Sequence, residues 1–253
     1  MKIVLLTDKR QIYASKIIES IIKNKKDDIF ILLSNTIMHK KTLFGSFNKI
    51  INDSGIFYFF FRILENIYGR FLVFMKKETT VSQLIKKYRI KHSSTNNIND
   101  KVSLNKIKEI NPDLIISIYF NQIIGRGVLG IPRYGCINIH RALLPKDRGP
   151  SSAFWQISRN EKETGFTIHY IDSGIDSGDI IAQRKFELKE EYSLHDICKI
   201  SAKIASEEIL DVLENLRNGK IMKIKQNEEK STANSFPTRQ SMKDFLRYNK
   251  RFF

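Results

Sequence analysis

Cysteine is scarce in this sequence, acidic residues are outnumbered, and no long apolar run is present; each shortage excludes something. The two cysteines, Cys136 and Cys198, lie far apart and form neither a disulfide framework nor a metal-ligand spacing. Cys136 falls inside a largely apolar run, where a small buried thiol is the expectation, and a reduced, cytoplasmic location follows. His39, His92, His169 and His195 make no ligand spacing with the cysteines or carboxylates, so no metal is expected. The opening "MKIVLLTDKR" lacks the long apolar core and small-residue cleavage site of a signal peptide and reads as a first strand. No glycine follows that strand in "LLTDKRQIYAS", which argues against a dinucleotide fingerprint or a phosphate-cradling loop there. The most apolar stretch is "GIFYFFFRILENIYGRFLVFMKK", residues 55–77. Arg62, Glu65 and Arg70 interrupt it, and it falls short of the roughly 20 apolar residues that a membrane span needs. No transmembrane segment is expected. The stretch reads as a helix covered by the domain or by a second subunit, with a membrane-surface helix as the alternative.

Acidic residues number 27 against 43 Lys and Arg, a formal net charge of +16. Such an excess suits an anionic partner: nucleic acid, anionic lipid or a phosphorylated small molecule. The basic residues are dispersed, however, with short clusters only at residues 23–26 and 247–251, and the chain is rich in Lys, Ile and Asn throughout. Composition alone therefore also accounts for the charge.

Apolar runs at residues 2–7, 29–33, 113–119 and 136–140 have the character of strands buried on both faces. Helical spacing covers residues 11–22, 81–88, 101–110, 151–158 and about 193–216, with Ser151 or Ser152 placed to cap the fourth of these. Strands are also read at residues 89–92, 165–171 and 179–183, and a capped helix from Thr238 is followed by two phenylalanines that pack back. Strands separated by helices predict an α/β, Rossmann-like, doubly wound and mostly parallel sheet, with a small C-terminal helical or hairpin appendage. The expected division is a catalytic domain over 1–190, with an irregular helical insertion at 35–90, and a C-terminal helix and tail over 191–253.

Three segments hold chemistry-bearing residues. In "CINIHRALLPKDRGP" Asn138 and His140 are two apart on a strand and so project to one face at its carboxyl end. In "IDSGIDSGDII" Asp172 and Asp176 surround Gly174 and Gly178 between two strands. "YFNQIIGRGVLG" follows another buried strand with apolar side chains where a flat ligand can lie. Each alone also has a plain reading as a structural histidine, a turn or core packing.

Together, "NIHRALLPKDRGP" and "ETGFTIHYIDSGIDSGDII" resemble the folate-dependent formyltransferases, which move a formyl group from 10-formyltetrahydrofolate to an amine. The resemblance is carried by residues 113–183, extends over the flanking sheet and is absent from most of 35–88. It implies that Asn138, His140 and Asp176 are the catalytic trio. Asn138 and a protonated His140 would donate to the developing oxyanion, and Asp176 would favour the imidazolium and route the amine's proton. It further implies a pterin pocket at Phe120, Gln122, Ile123, Ile124 and Leu129 on one side and Asp172, Gly174 and Ile175 on the other. For Ile123, Ile124 and Leu129, core packing is the competing reading. Arg148 and Lys9 are candidate substrate contacts, and a solvated arginine or helix start is the alternative for each. Departures narrow the amine. The Gly/Asn-rich phosphate loop of glycinamide ribonucleotide transformylases is replaced by "TDKRQ". No space is expected for the C-terminal β-barrel of methionyl-tRNA formyltransferase, or for the N-terminal regulatory domain of formyltetrahydrofolate hydrolases. The expectation is a nucleotide-linked amino sugar used in surface polysaccharide synthesis, with a homodimer built on the aromatic and C-terminal helices. The alternatives are a phosphoribosyl-glycinamide-like amine and a basic nucleic-acid-associated protein without enzymatic activity.

Overall fold

The apolar runs become parallel strands because a strand covered by helices on both faces needs no polar alternation. In the computed structural model, which describes residues 1–36 and 43–253, β1 (Lys2–Asp8), β2 (Asp28–Ser34), β3 (Lys91–Thr95), β4 (Leu114–Ile118) and β5 (Cys136–His140) run parallel. β6 (Glu163–Tyr170) and β7 (Ile180–Glu187) extend the β5 edge in antiparallel sense. The seven strands are ordered β3-β2-β1-β4-β5-β6-β7. Strand order reverses between β1 and β4, and in such sheets ligands sit beyond the carboxyl ends of the strands at that reversal. The doubly wound sheet expected from the sequence is the one that forms.

Side-chain alternation divides the core in two. Ile3 and Leu5 of β1 face α1 (Ile12–Lys23), α3 (Val81–Tyr88) and α7 (Leu194–Arg217), while Val4 and Leu6 face α4 (Lys101–Ile110) and α5 (Arg126–Leu129). Helix α7 thus belongs to the main core, through Ala202, Ala205, Ile209 and Leu213. Cys136 is buried among the second set, and burial pushes its thiol up to about 12. Helix ends follow local chemistry. Thr80 with Gln83 and Ser193 with Asp196 form capping boxes, and Asp100 accepts from the backbone N–H of Ser103. At α6 (Ser152–Ser158) neither serine caps as expected: Ser151 makes no side-chain cap, and Ser152 Oγ donates to the carbonyl of Arg141 instead.

The insertion is more regular than its sequence suggests. It holds the long helix α2 (Leu43–Phe74), broken at Gly55, whose φ of 85° and ψ of 169° are not helical. His39 lies outside the described residues. Beyond Gly55, Tyr58 and Phe61 pack with α6, the start of α7 and α8 (Arg239–Arg247). Phe252 stacks between Phe61 at 3.6 Å and Phe245 at 4.3 Å between ring centroids, and Phe253 lies 4.4 Å from Tyr68, so both terminal phenylalanines pack back. Between α7 and α8 the chain runs as a strap from the start of β7 to the loop after β5. Ile224 pairs with Ile180, and Ala233 pairs with Arg148.

Candidate active site

Strand alternation sends Ile137 and Ile139 into the α1/α7 core and turns Asn138 and His140 to the other face. The antiparallel neighbour β6 sets His169 opposite Asn138 and Thr167 opposite His140. The loop after β6 returns Asp176 to the same point. Asp176 has a left-handed φ of 50°, which Asp tolerates better than most residues, and Gly178 closes the turn where a Cβ would overlap the carbonyl of Tyr170. Asn138 Nδ2 lies 3.2 Å from Asp176 Oδ1 and 3.2 Å from His169 Nε2. His140 Nδ1 lies 3.5 Å from Asp176 Oδ2. The three expected residues meet at the end of β5.

Hydrogen bonds settle which nitrogen of His140 is basic. Its Nε2–H donates to the carbonyl of Asp147 at 2.8 Å, and a carbonyl can only accept, so in the neutral ring the lone pair sits on Nδ1, facing Asp176. Burial lowers the His140 pKa and outweighs the opposing pull of Asp176, so the neutral ring dominates at neutral pH. This departs from the imidazolium expected from the sequence. Burial works against the charge of Asp176, but His140, His169 and the backbone N–H of Gly149 hold its carboxyl well below the usual range. The Gly149 N–H, at 2.8 Å, persists when His140 is neutral. Gly149 needs its φ of 90°, and a Cβ there would strike the carbonyl of Asn234.

The structure uses Arg148 differently from either sequence reading. It is 9% exposed, and its guanidinium donates to Gln226 Oε1 at 2.7 Å and to Glu228 at 2.7 and 2.8 Å. Gln226 Nε2 in turn donates to the carbonyls of Asp176 and Gly178, both at 2.8 Å. Arg148 and Gln226 therefore tie the loop after β5 to the loop that holds Asp176. Gln226 and His169 carry no sequence signal of this role beyond the register of β6, and Asp147 acts through a backbone oxygen that no side-chain pattern reveals.

The remaining candidates divide. Ile123 and Ile175 are exposed at 69% and 60%, one on the loop after β4 and one beside Asp176. Ile124 is buried in the α4/α5 core and Leu129 packs against it, which is the core packing expected as the alternative for these two, and Phe120 packs there as well. Gln122 is committed to its surroundings: it accepts from the N–H of Ile98 at 2.7 Å and donates to Ser34 Oγ at 2.9 Å. Asp172 holds its own turn, accepting from the N–H of Gly174 at 3.0 Å and from Ser177 Oγ at 2.7 Å. Lys9 is exposed just beyond the carboxyl end of β1. Among the described residues no group of three His, Cys, Asp or Glu could hold a metal ion, and no helix is long and apolar enough to cross a membrane.

A doubly wound α/β sheet thus carries an Asn–His–Asp cluster at the carboxyl end of β5, the region in which such sheets hold their ligands. The family model described as formyl transferase matches residues 1–213, and the chain belongs to that family. The chain is 43% identical over 133 residues to a methionyl-tRNA formyltransferase of Clostridium botulinum, matching 51% of this chain and 42% of that protein. It spans less than half the length of such curated relatives. In shape it resembles a 4-N formyltransferase from Francisella tularensis, with a TM-score of 0.61 and 23% identity over 99% of this chain and 88% of that one. It also resembles an N-formyltransferase from Helicobacter canadensis solved with folinic acid and dTDP-3-aminofucose, with a TM-score of 0.63 and 18% identity over 93% of this chain and 71% of that one. At these identities the two structures speak for the fold.

Proposed function

We propose that this protein transfers a formyl group from 10-formyltetrahydrofolate to the amino group of a nucleotide-linked amino sugar. The observation that carries the transfer is the convergence of Asn138, His140 and Asp176 at the end of β5 in a chain of this family. The neutral amine attacks the formyl carbon, and Asn138 Nδ2 donates to the oxygen on which charge develops. The amine's proton passes to His140 Nδ1, held beside ionised Asp176, and the same pair returns a proton to the folate nitrogen as its bond to the formyl carbon breaks. The products are a formamide and tetrahydrofolate. Exposed Ile123 and Ile175 suit the faces of a flat pterin, with main-chain groups of their two loops reading its edge.

The sugar substrate is favoured by likeness in shape along 93% of the chain to the Helicobacter protein solved with dTDP-3-aminofucose and by the missing glycine loop after β1. A second reading, methionyl-tRNA as the amine, is favoured by the 43% identity to the Clostridium enzyme. The test supplies 10-formyltetrahydrofolate with nucleotide-linked 3-amino and 4-amino sugars, glycinamide ribonucleotide and methionyl-tRNA, and follows tetrahydrofolate release and the formylated product. A sugar is expected to turn over, and His140→Ala and Asp176→Ala are each expected to lose roughly 10²–10⁴-fold in kcat. Turnover of methionyl-tRNA alone replaces the substrate assignment. Unchanged turnover in both variants removes the mechanism.

A further inference from the structure

Arg141, the residue after His140, points away from the cluster just described. Its Nη1 donates to Cys198 Sγ of α7 at 2.8 Å, and its guanidinium carbon lies 3.7 Å from the ring centroid of Tyr119 and 5.3 Å from that of Tyr13 of α1. Its one further polar contact is with Tyr119, and among the described residues it makes no ion pair. Burial pushes the Cys198 thiol up, so the sulfur is neutral and supplies no counter-charge. The two tyrosines are likewise held in their neutral forms by burial. The carboxylates whose charge reaches this nest, Glu65 and Glu78, are committed to Arg62 at 2.6 Å and to Lys199 at 3.5 Å.

Two further polar atoms are poorly satisfied in the same place. Tyr119 Oη and Ser201 Oγ are buried with no hydrogen bond of good geometry, Tyr119 meeting only Ser201 and Arg141, and Tyr119 holds a left-handed φ of 53° that a bulky residue adopts only under constraint. Tyr13 Oη is shared with His195 Nδ1 at 2.8 Å. Stacking on an aromatic ring offsets part of the cost of withdrawing a guanidinium from water, but a charge with no counter-ion beside poorly satisfied hydroxyls is under-compensated without a ligand. Arg141 and Tyr13 are only partly buried, so the nest remains open to solvent.

We propose that Arg141, with Tyr13 and Tyr119, forms an oxyanion-binding site on the α1/α7 side of the sheet edge, which docks a phosphate or carboxylate of the amine-bearing substrate. The guanidinium fork suits either group. The amine and the formyl donor would then approach the end of β5 from opposite faces of the sheet. Naming the ligand as the amine substrate rests on the formyl-transfer reading; the anion site itself does not.

The test titrates the full chain by calorimetry with pyrophosphate and uridine diphosphate as the phosphate arm and with glucuronate as the carboxylate arm. Wild type is expected to bind in one arm. Arg141→Met is expected to weaken that binding roughly tenfold to a hundredfold, and Arg141→Lys, which keeps charge without the fork, by less. The melting temperature of Arg141→Met should not fall, because the charge removed is partly withdrawn from water and has no counter-charge. A wild type that binds none of the probes overturns the site, and so does a Lys variant that binds as the wild type does. A lowered melting temperature with unchanged affinity also overturns it and assigns Arg141 to packing. If no amine is formylated while anion binding depends on Arg141, the formyl-transfer reading falls and the site stands. If transfer proceeds and Arg141→Met leaves the KM for the amine unchanged, the reverse holds.

Discussion

His140 is pulled in two directions. Burial favours its neutral ring, the carboxylate of Asp176 favours the imidazolium, and burial wins. The sign of the pH dependence follows. A neutral His140 is needed to take the amine's proton, so kcat is expected to fall on the acid side as the ring protonates, with a midpoint below the ordinary histidine value of 6.5. Asp176→Asn removes the charge that opposes burial, so the His140 titration should move further down while kcat drops. Proton–carbon NMR of the His140 ring, read alongside the pH–rate profile, checks both. A wild-type midpoint above 6.5, or an upward movement in Asp176→Asn, would sink the neutral-base assignment. The same groups link pH to stability: the folded His140 resists protonation and the folded Asp176 stays ionised. Stability is therefore lost as pH falls below the unfolded histidine value, and further as it falls through the carboxylate range. The trio itself was legible in the sequence through the resemblance of its motifs to those of the formyltransferases, since strand periodicity and a glycine-bounded turn alone left a structural histidine and a plain turn open. The resting charge of His140 was not, because desolvation depends on what the fold packs around the ring.

At the scale of elements, the strap between α7 and α8 does what the polar sequence of residues 219–236 does not announce. Thr232 and Asn234 exchange backbone hydrogen bonds with the loop after β5, where Arg148 N donates to Thr232 O at 2.9 Å and Asn234 N to Arg148 O at 2.8 Å. Gln226 then links Arg148 to the backbone of the Asp176 loop. These partners are up to 86 residues apart in the chain, a separation at which no local pattern can reveal pairing. Strands and helices with clean periodicity, such as α4 and β5, had their bounds legible in sequence, whereas the first half of α2 was hidden by its break at Gly55. Arg148→Ala is expected to loosen the strap and the Asp176 loop together. Limited proteolysis within residues 219–236 should accelerate roughly tenfold, the worth of one charge-assisted hydrogen bond. The variant's kcat should fall with little change in the KM for the amine, since Arg148 positions Asp176 rather than touching substrate. Unchanged proteolysis and kcat would mean that the bridge is incidental.

For the whole molecule, the question left by α2 is what covers its outer face. Tyr58, Phe61 and Leu72 are buried inward, while Phe57, Phe60, Leu64, Ile67, Phe71 and Phe74 are each at least 52% exposed. Their spacing alternates between three and four residues, the repeat of a helix seam made to receive the knobs of another helix. Arg70 is exposed at the edge of this row, and the partly exposed Arg62–Glu65 pair and exposed Asn66 supply the rest of its polar rim. A second copy of the chain offers the same seam, and an isologous pairing across a two-fold axis closes without leaving a sticky edge. The helix beyond Gly55 is roughly 30 Å long, enough for several turns of contact. A homodimer on this seam is therefore expected in sedimentation velocity, and the paired substitution Phe60→Lys with Leu64→Lys should yield monomer. Both side chains are exposed, so the melting temperature of the isolated fold should change little beyond the loss of the dimer. A wild type that sediments as monomer but pellets with phosphatidylserine vesicles, and is released by the same two lysines, would instead assign the seam to a lipid surface. The net charge of +16 then becomes functional, because dispersed Lys and Arg add attraction to anionic headgroups where a dimer seam gains nothing from them.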